Sequence, residues 1–159
     1  MDSSNEPHIV RALGAHDVPA FRDVLRVFAE AFGDSAAYLA QQPDDSYLAS
    51  LLASDAFVAV ASFSGGEVVG GLTAYVLPKF EQNRHELFIY DLAVAEPYRR
   101  RGIATDVIAE VQRLASDRGI YAIFVQADGG DDAAIELYSK LGRREEVLHF
   151  DIPPGVPSN

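Results

Sequence analysis

Residues 86–105 read ELFIYDLAVAEPYRRRGIAT: an apolar strand-like run, a short connection, three consecutive arginines, then a glycine and small side chains. From Ile103 onward, Val107, Ile108, Val111, Leu114 and Ala115 fall at helical spacing, which predicts an amphipathic helix over 103–118. A strand feeding a helix through so short a turn restricts the chain to folds in which helices pack on a sheet. The first turn of that helix leaves backbone N–H groups without intrahelical acceptors, at the positive end of its dipole. Gly102 permits a tight turn, Ala104 leaves room for an anion to reach the backbone, and Arg99, Arg100 and Arg101 concentrate charge there. The turn also falls at the carboxyl end of a strand, where open α/β sheets bind ligands. Residues 99–105 are therefore expected to cradle a phosphate; the plain alternative is a solvated basic turn.

The rest of the chain supplies the sheet. Residues 8–13 read as a strand and 16–32 as an amphipathic helix with Val18, Phe21, Leu25, Phe28 and Phe32 on one side. QQPDDS halts the chain ahead of a short helix at about 45–53. Residues 56–63 and 68–77 form a hairpin around Gly65-Gly66. Strands are expected at 86–94 and 120–127, the latter apolar on both faces as in a central buried strand. A helix at 131–142 ends on Gly142, a last strand covers 144–152, and residues 154–159 form a disordered tail. The order is β-α-α-β-β-β-α-β-α-β, a mixed α/β sheet flanked by helices in one domain spanning 1–153.

With 24 acidic and 13 basic residues among 159, the chain carries a formal charge of −11, a field that repels nucleic acid and anionic membranes and attracts polycations. It has no cysteine, which excludes disulfides, thiolate metal sites and thiol nucleophiles, and fits a reducing cytoplasm. Four scattered histidines show no metal-ligand spacing, and no metal is expected. The polar start MDSSNEPH lacks the pattern of a secretion signal, and no apolar run approaches the ~20 residues of a membrane span. A cytoplasmic location is expected.

VAEPYRRRGIATDVIAEVQ resembles the coenzyme A signature of the GNAT N-acetyltransferases, whose R/Q-x-x-G-x-G/A motif falls on Arg99, Gly102 and Ala104. Within that superfamily YVLPKFEQ (75–82), IYDLAV (89–94), RRRGIAT (99–105), VQADGGDDAAIELYSKLG (125–142) and REEVLHFDI (144–152) are similar to segments of the type I aminoglycoside 3-N-acetyltransferases. The resemblance implies a GNAT fold, acetyl-CoA as co-substrate, and an aminoglycoside as acceptor, with antibiotic resistance as the outcome. It also implies that Leu92, Ala93 and Val94 join residues 99–105 (Arg99, Arg100, Arg101, Gly102, Ile103, Ala104, Thr105) in binding the coenzyme, and that the 86–94 strand carries a bulge and splays from its neighbour, freeing backbone groups for the pantetheine arm; a backbone N–H near Leu92 to Val94 is the expected oxyanion donor.

Acetyl transfer to an amine needs a neutral nitrogen, an oxyanion stabiliser and a proton for the departing thiolate, but no covalent enzyme intermediate. Asp91 is a lone carboxylate in the apolar run LFIYDLAV; burial demands a partner or a raised pKa, and as a base it would orient the substrate ammonium. The plain alternative is an Asp paired structurally with an arginine. Tyr138, on the 131–142 helix, is the candidate acid for the thiolate by resemblance; otherwise it is a core tyrosine.

A polycationic acceptor calls for acidic groups, drawn from Glu81, Asp128, Asp131, Asp132, Glu145, Glu146 and Asp151. Asp128 leads this set, with Glu81 and Glu145 beside it, while Tyr75 and Tyr90 are expected to supply apolar walls. Only one strand fits after Gly142, and the sheet edge this leaves suits closure by a second copy, so a homodimer is expected. Two rival readings are acetylation of another cationic amine (a polyamine, a lysine or a protein N-terminus) and a coenzyme-binding module without turnover.

Overall fold

The computed structural model describes residues 6–155. The first five residues and positions 156–159 of the expected tail lie outside the described residues. Eleven elements follow one another: β1 (His8–Ala12), α1 (Val18–Phe32), α2 (Ser35–Tyr38), α3 (Asp45–Ala53), β2 (Phe57–Ser64), β3 (Glu67–Pro78), β4 (His85–Val94), a 3-10 turn (Glu96–Tyr98), α4 (Ile103–Asp117), β5 (Ala122–Val125) and α5 (Asp132–Leu141). The chain divides after Gln126 into two compact units.

The first unit is a five-stranded sheet in the order β1-β2-β3-β4-β5. Neighbours are antiparallel except β4 and β5, which run parallel, so the sheet is mixed. The β2–β3 hairpin turns on Gly65 (φ 56°) and Gly66 (φ 84°), both in the left-handed region that a two-residue hairpin turn requires. A glycine pair in β3 sets how closely helices approach. A Cβ on Gly71 would lie 2.6 Å from Val24 Cγ1 of α1, and one on Gly70 would lie 3.3 Å from Ile103 Cγ2 of α4. Successive strand residues point to opposite faces, so α1 and α4 cover opposite sides of β3. Val24, Phe28, Leu72, Leu87, Val107 and Val111 are fully buried between these layers. No described helix is long and apolar enough to cross a membrane.

Asp17, just ahead of α1, does not cap the helix; its carboxylate accepts the Gly14 N–H at 2.8 Å and pairs with the Arg11 guanidinium at 2.9 and 3.0 Å. Two elements are not legible in the sequence: the 3-10 turn, and α2, a single turn capped by Asp34, whose side chain accepts the Ala37 N–H at 3.0 Å.

Two expectations need correction. Residues 120–127 are expected as a central strand; β5 is shorter, ends the five-stranded sheet of the described residues and is only part-buried. In the second unit α5 forms as expected, capped by Asp131 through the Ala134 N–H at 3.2 Å. The expected strand over 144–152 does not form; residues 143–155 have no regular secondary structure. A strand exists only through a ladder, and among the described residues none pairs with this segment.

Candidate functional site

The cleft of the first unit opens against β4 and is closed by α1, α2 and α3. Its cavity of about 260 Å³ is open to solvent on one side. The walls are largely aromatic, with Phe28, Tyr38, Tyr47, Phe57, Tyr75 and Tyr90 prominent, and Asp91 is the one charged side chain among the lining residues.

A break in strand register creates this arrangement. Asp91 pairs with Thr73 and Ile89 with Ala74, leaving Tyr90 as the extra residue of a β-bulge. In a regular pleat Tyr90 and Asp91 would point to opposite faces; the bulge turns both into the cleft. Tyr90 stands edge-on to Tyr75 with ring centroids 5.5 Å apart, so the expected apolar walls are adjacent. The bulge that the resemblance implied for this strand is therefore present.

Asp91 is half-buried, and its partner is not an arginine. Tyr38 Oη donates to Asp91 Oδ2 at 2.9 Å. Burial pushes the Asp91 carboxyl above the usual carboxylate range, and the Tyr38 hydrogen bond pulls the other way. The Tyr38 hydroxyl is itself pushed well up, chiefly by burial and then by its bond to Asp91. Sequence reasoning missed Tyr38 because it lies in what reads as a loop, 53 residues from Asp91. Two sets of contacts hold it there. Its ring sits edge-on to Phe28 at 5.8 Å. Its carbonyl accepts the Gln42 side-chain N–H at 3.0 Å, in a segment that the Arg22 guanidinium fastens through the Pro43 carbonyl at 3.1 Å. The only legible signal was the capping Asp34.

Beyond the bulge β4 parts from its neighbour. The β4–β5 ladder runs from Glu86 opposite Ala122 to Ile89 opposite Val125 and then stops. From Tyr90 through Leu92, Ala93 and Val94 the strand has no ladder partner on that side among the described residues, so the ladder leaves the backbone polar groups on that side unused. Arg99 closes the end of this stretch, its Nε donating to the Val94 carbonyl at 2.9 Å.

The turn that follows is shaped by two left-handed residues. Arg100 (φ 64°) is the sole non-glycine with positive φ among the described residues, and Gly102 (φ 80°) is the N-cap of α4. Gly102 supplies no capping side chain, so the N–H groups of Ile103, Ala104 and Thr105 lack intrahelical acceptors. A Cβ built on Gly102 meets nothing within 4 Å, which leaves the helix terminus open. Arg101 braces the turn, donating to the Pro97 carbonyl at 2.8 Å with its guanidinium 5.1 Å from the Tyr98 ring centroid. Asp106, the acid of this first helical turn, is held by His8 at 2.6 Å. Of the three arginines, Arg99 and Arg101 tie down the loop that holds the cradle, and Arg100 is exposed. Open N–H groups at a helix terminus beside an arginine run fit the pyrophosphate of a coenzyme.

Glu81 does not line the cleft; it sits beside Arg84 and Lys79, at 3.4 and 3.9 Å. In the second unit Tyr138 lies part-buried on α5, the Asp128 carbonyl accepts the Asp131 N–H at 3.1 Å, and Glu145 pairs with Arg143 at 2.9 Å. No group of three or more His, Asp or Glu side chains among the described residues could hold a metal ion.

These features coincide with known proteins. HMB0005, an aminoglycoside acetyltransferase from an uncultured soil metagenomic sample, is 51% identical, with a TM-score of 0.91 over 94% of this chain and 99% of that one. A second such enzyme, meta-AAC0020, in complex with sisomicin, is 29% identical with a TM-score of 0.85 over 93% and 97% of the two chains. The L-2,4-diaminobutyric acid acetyltransferase of Streptomyces avermitilis is 31% identical over 87 residues, 54% of this chain and 47% of that protein. The chain spans about half the length of the curated relatives it matches. The model of the acetyltransferase (GNAT) family matches residues 20–142, and with the mixed sheet, the bulged strand and the arginine-rich cradle in place, the chain belongs to that family.

Proposed function

We propose that the chain transfers an acetyl group from acetyl-CoA to the 3-amino group of an aminoglycoside, by direct attack within a ternary complex, as a cytoplasmic homodimer that confers resistance to the antibiotic. The observation that carries this reading is Asp91: one half-buried carboxylate, turned by a bulge into an aromatic cleft, on the strand that leads into the cradle. Likeness to the two metagenomic aminoglycoside acetyltransferases, one of them bound to sisomicin, supports the acceptor class.

When bound, acetyl-CoA supplies the acetyl group as an activated thioester. Ile103, Ala104 and Thr105 offer backbone N–H groups to its pyrophosphate, with charge from the arginine run. Backbone N–H groups along Leu92 to Val94 are assigned to stabilise the carbonyl oxygen. Asp91 pairs with the substrate ammonium, holds it in the cleft and takes its proton, directly or through water. Tyr38 keeps the carboxylate oriented from the far side. Tyr138 is assigned, from the resemblance, to return a proton to the departing sulfur. Further acidic side chains, Glu81, Asp128 and Glu145 among them, are assigned from the resemblance to the other ammonium groups of the acceptor. Residues 1–153 form one catalytic domain in this reading.

A second reading, acetylation of a smaller diamine, draws on the single carboxylate among the cleft's lining residues and on the diaminobutyric acid acetyltransferase relatives. Thiol release from acetyl-CoA with gentamicin, sisomicin, kanamycin, spermidine and diaminobutyrate in turn separates the two. The main reading expects turnover with gentamicin and sisomicin, and NMR of the product places the acetyl group on the 3-amino nitrogen. No turnover with either drug overturns it.

A further inference from the structure

A phenol can orient a carboxylate only if the ring and the backbone behind it are themselves fixed. Tyr38 ends α2, a helix of four residues, too short to hold its own shape. Phe28 and Phe32 of α1 lie against its ring, with centroids at 5.8 and 5.9 Å. Apolar contact is non-directional, so these rings fix where the tyrosine lies but not how its hydroxyl is aimed at Asp91.

The direction comes from a chain of polar contacts that begins on α1. Arg22 Nη1 donates to Gln42 Oε1 at 2.5 Å, and Gln42 Nε2 donates in turn to the Tyr38 carbonyl at 3.0 Å. Both ends of the amide are engaged, so it cannot turn over without losing both bonds. Arg22 Nη2 donates to the Pro43 carbonyl at 3.1 Å and to Asp45 Oδ1 at 2.5 Å, at the first residue of α3. One planar guanidinium thus ties the 39–44 connection to α1 and to α3 together. Its base is rigid, because Phe21, Val24 and Phe28 of α1 are buried. A staple between α1 and α3 would need only Asp45. The Gln42 bridge is superfluous to that task, and Gln42 and Pro43 line the cleft.

We infer that Arg22 is a positioning residue for the reaction: through Gln42 and Tyr38 it holds the Asp91 carboxylate in the orientation that meets the acceptor amine. The inference rests on the reading of Asp91 as the base and places a residue of α1 in control of it. Few other groups bear on that carboxylate. The other titratable side chains lining the cleft are Tyr38, Tyr47 of α3, Tyr75 of β3 and Tyr90 of β4, and phenols titrate far above carboxyls. Asp34, at the cap of α2, acts on Tyr38 rather than on Asp91.

Carbon-13 NMR titration of the full-length protein with labelled aspartate tests this without any substrate, the Asp91 carboxyl signal being identified by its loss in Asp91→Asn. Gln42→Met cuts the chain of contacts at constant charge and similar side-chain length. Arg22→Lys keeps the charge but loses the fork that reaches three acceptors. Each is expected to raise the Asp91 pKa by about half a pH unit, the direction expected of Tyr38→Phe, because a slackened Tyr38 bond leaves burial less opposed. In a Tyr38→Phe background neither should raise it further, and the acid limb of kcat/KM with sisomicin should follow the titration. Lower melting temperatures with the Asp91 titration in place would mean a structural staple and overturn the inference. A rise with Gln42→Met alone overturns the assignment to Arg22, and a full rise in the Tyr38→Phe background overturns the route through Tyr38. If the titration moves as expected while the acid limb stays, the positioning holds and the reading of Asp91 as the base is what fails.

Discussion

Tyr38 Oη donates a 2.9 Å hydrogen bond to Asp91 Oδ2, joining a one-turn helix to a bulged strand 53 residues later. This bond opposes the effect of burial on the carboxyl. If ionised Asp91 is the working base, removing the bond lets burial act alone and the Asp91 pKa rises. Tyr38→Phe is therefore expected to move the acid limb of the kcat/KM profile upward, by about one pH unit for a bond to a partly exposed charge. Rates on the plateau above that limb should change little. An unmoved limb means that another group sets it.

Asp91→Asn is expected to lower turnover at neutral pH by about 10²–10⁴-fold while coenzyme affinity stays nearly constant. Stability should move the other way. The folded pKa of Asp91 lies above its unfolded value, so its favourable contribution is present below the unfolded pKa and lost as pH rises through the folded one. The asparagine variant, uncharged throughout, should melt above wild type at pH 7, with the gap closing below about pH 4. Thermal melts across pH read this directly, and an equal or lower melting temperature at pH 7 contradicts the burial penalty.

Gly71→Ala places a methyl group 2.6 Å from Val24 Cγ1, so α1 must retreat from the sheet. The expected loss is about 1–3 kcal/mol in urea unfolding. Gly70→Ala, whose nearest contacts are at 3.3 Å, should cost less. Equal costs would mean that α1 yields more easily than its buried packing implies.

Gly102→Ala forces an L-residue to φ 80° at the mouth of the cradle, a conformation costing ~1–2 kcal/mol. It also adds a methyl group where the coenzyme would approach. Coenzyme A binding by calorimetry should weaken about tenfold or more, with α4 still folded by circular dichroism. Unchanged affinity would move the pyrophosphate away from this turn.

Tyr138→Phe keeps the ring and removes the proposed acid. Turnover should fall about 10²-fold or more with little change in KM, and the alkaline limb of the pH profile should disappear. A variant that keeps its rate and alkaline limb returns Tyr138 to a structural role.

Local pattern was enough to read much of this molecule. The 3.6-residue spacing of Ile103, Val107, Ile108 and Val111 marks α4, Gly65-Gly66 marks the hairpin, and Gly102 with the arginines marks the cradle; each signal is complete within a few turns of chain. Asp91 was legible for a similar reason, as one charge in an apolar strand. Its partner was not. Tyr38 reaches Asp91 because Phe28, Gln42 and Arg22 hold a short loop in place, and no local pattern encodes a contact across 53 residues. The bulge at Tyr90 was implied by resemblance and never by the residues, since register depends on which strand lies alongside. The segment 144–152 shows the same limit from the other side: its alternation suits a strand, but only a neighbouring edge can make it one. Residues alone determined which segments could form strands and helices, and tertiary structure decided which of them found partners, because a ladder is a property of two strands.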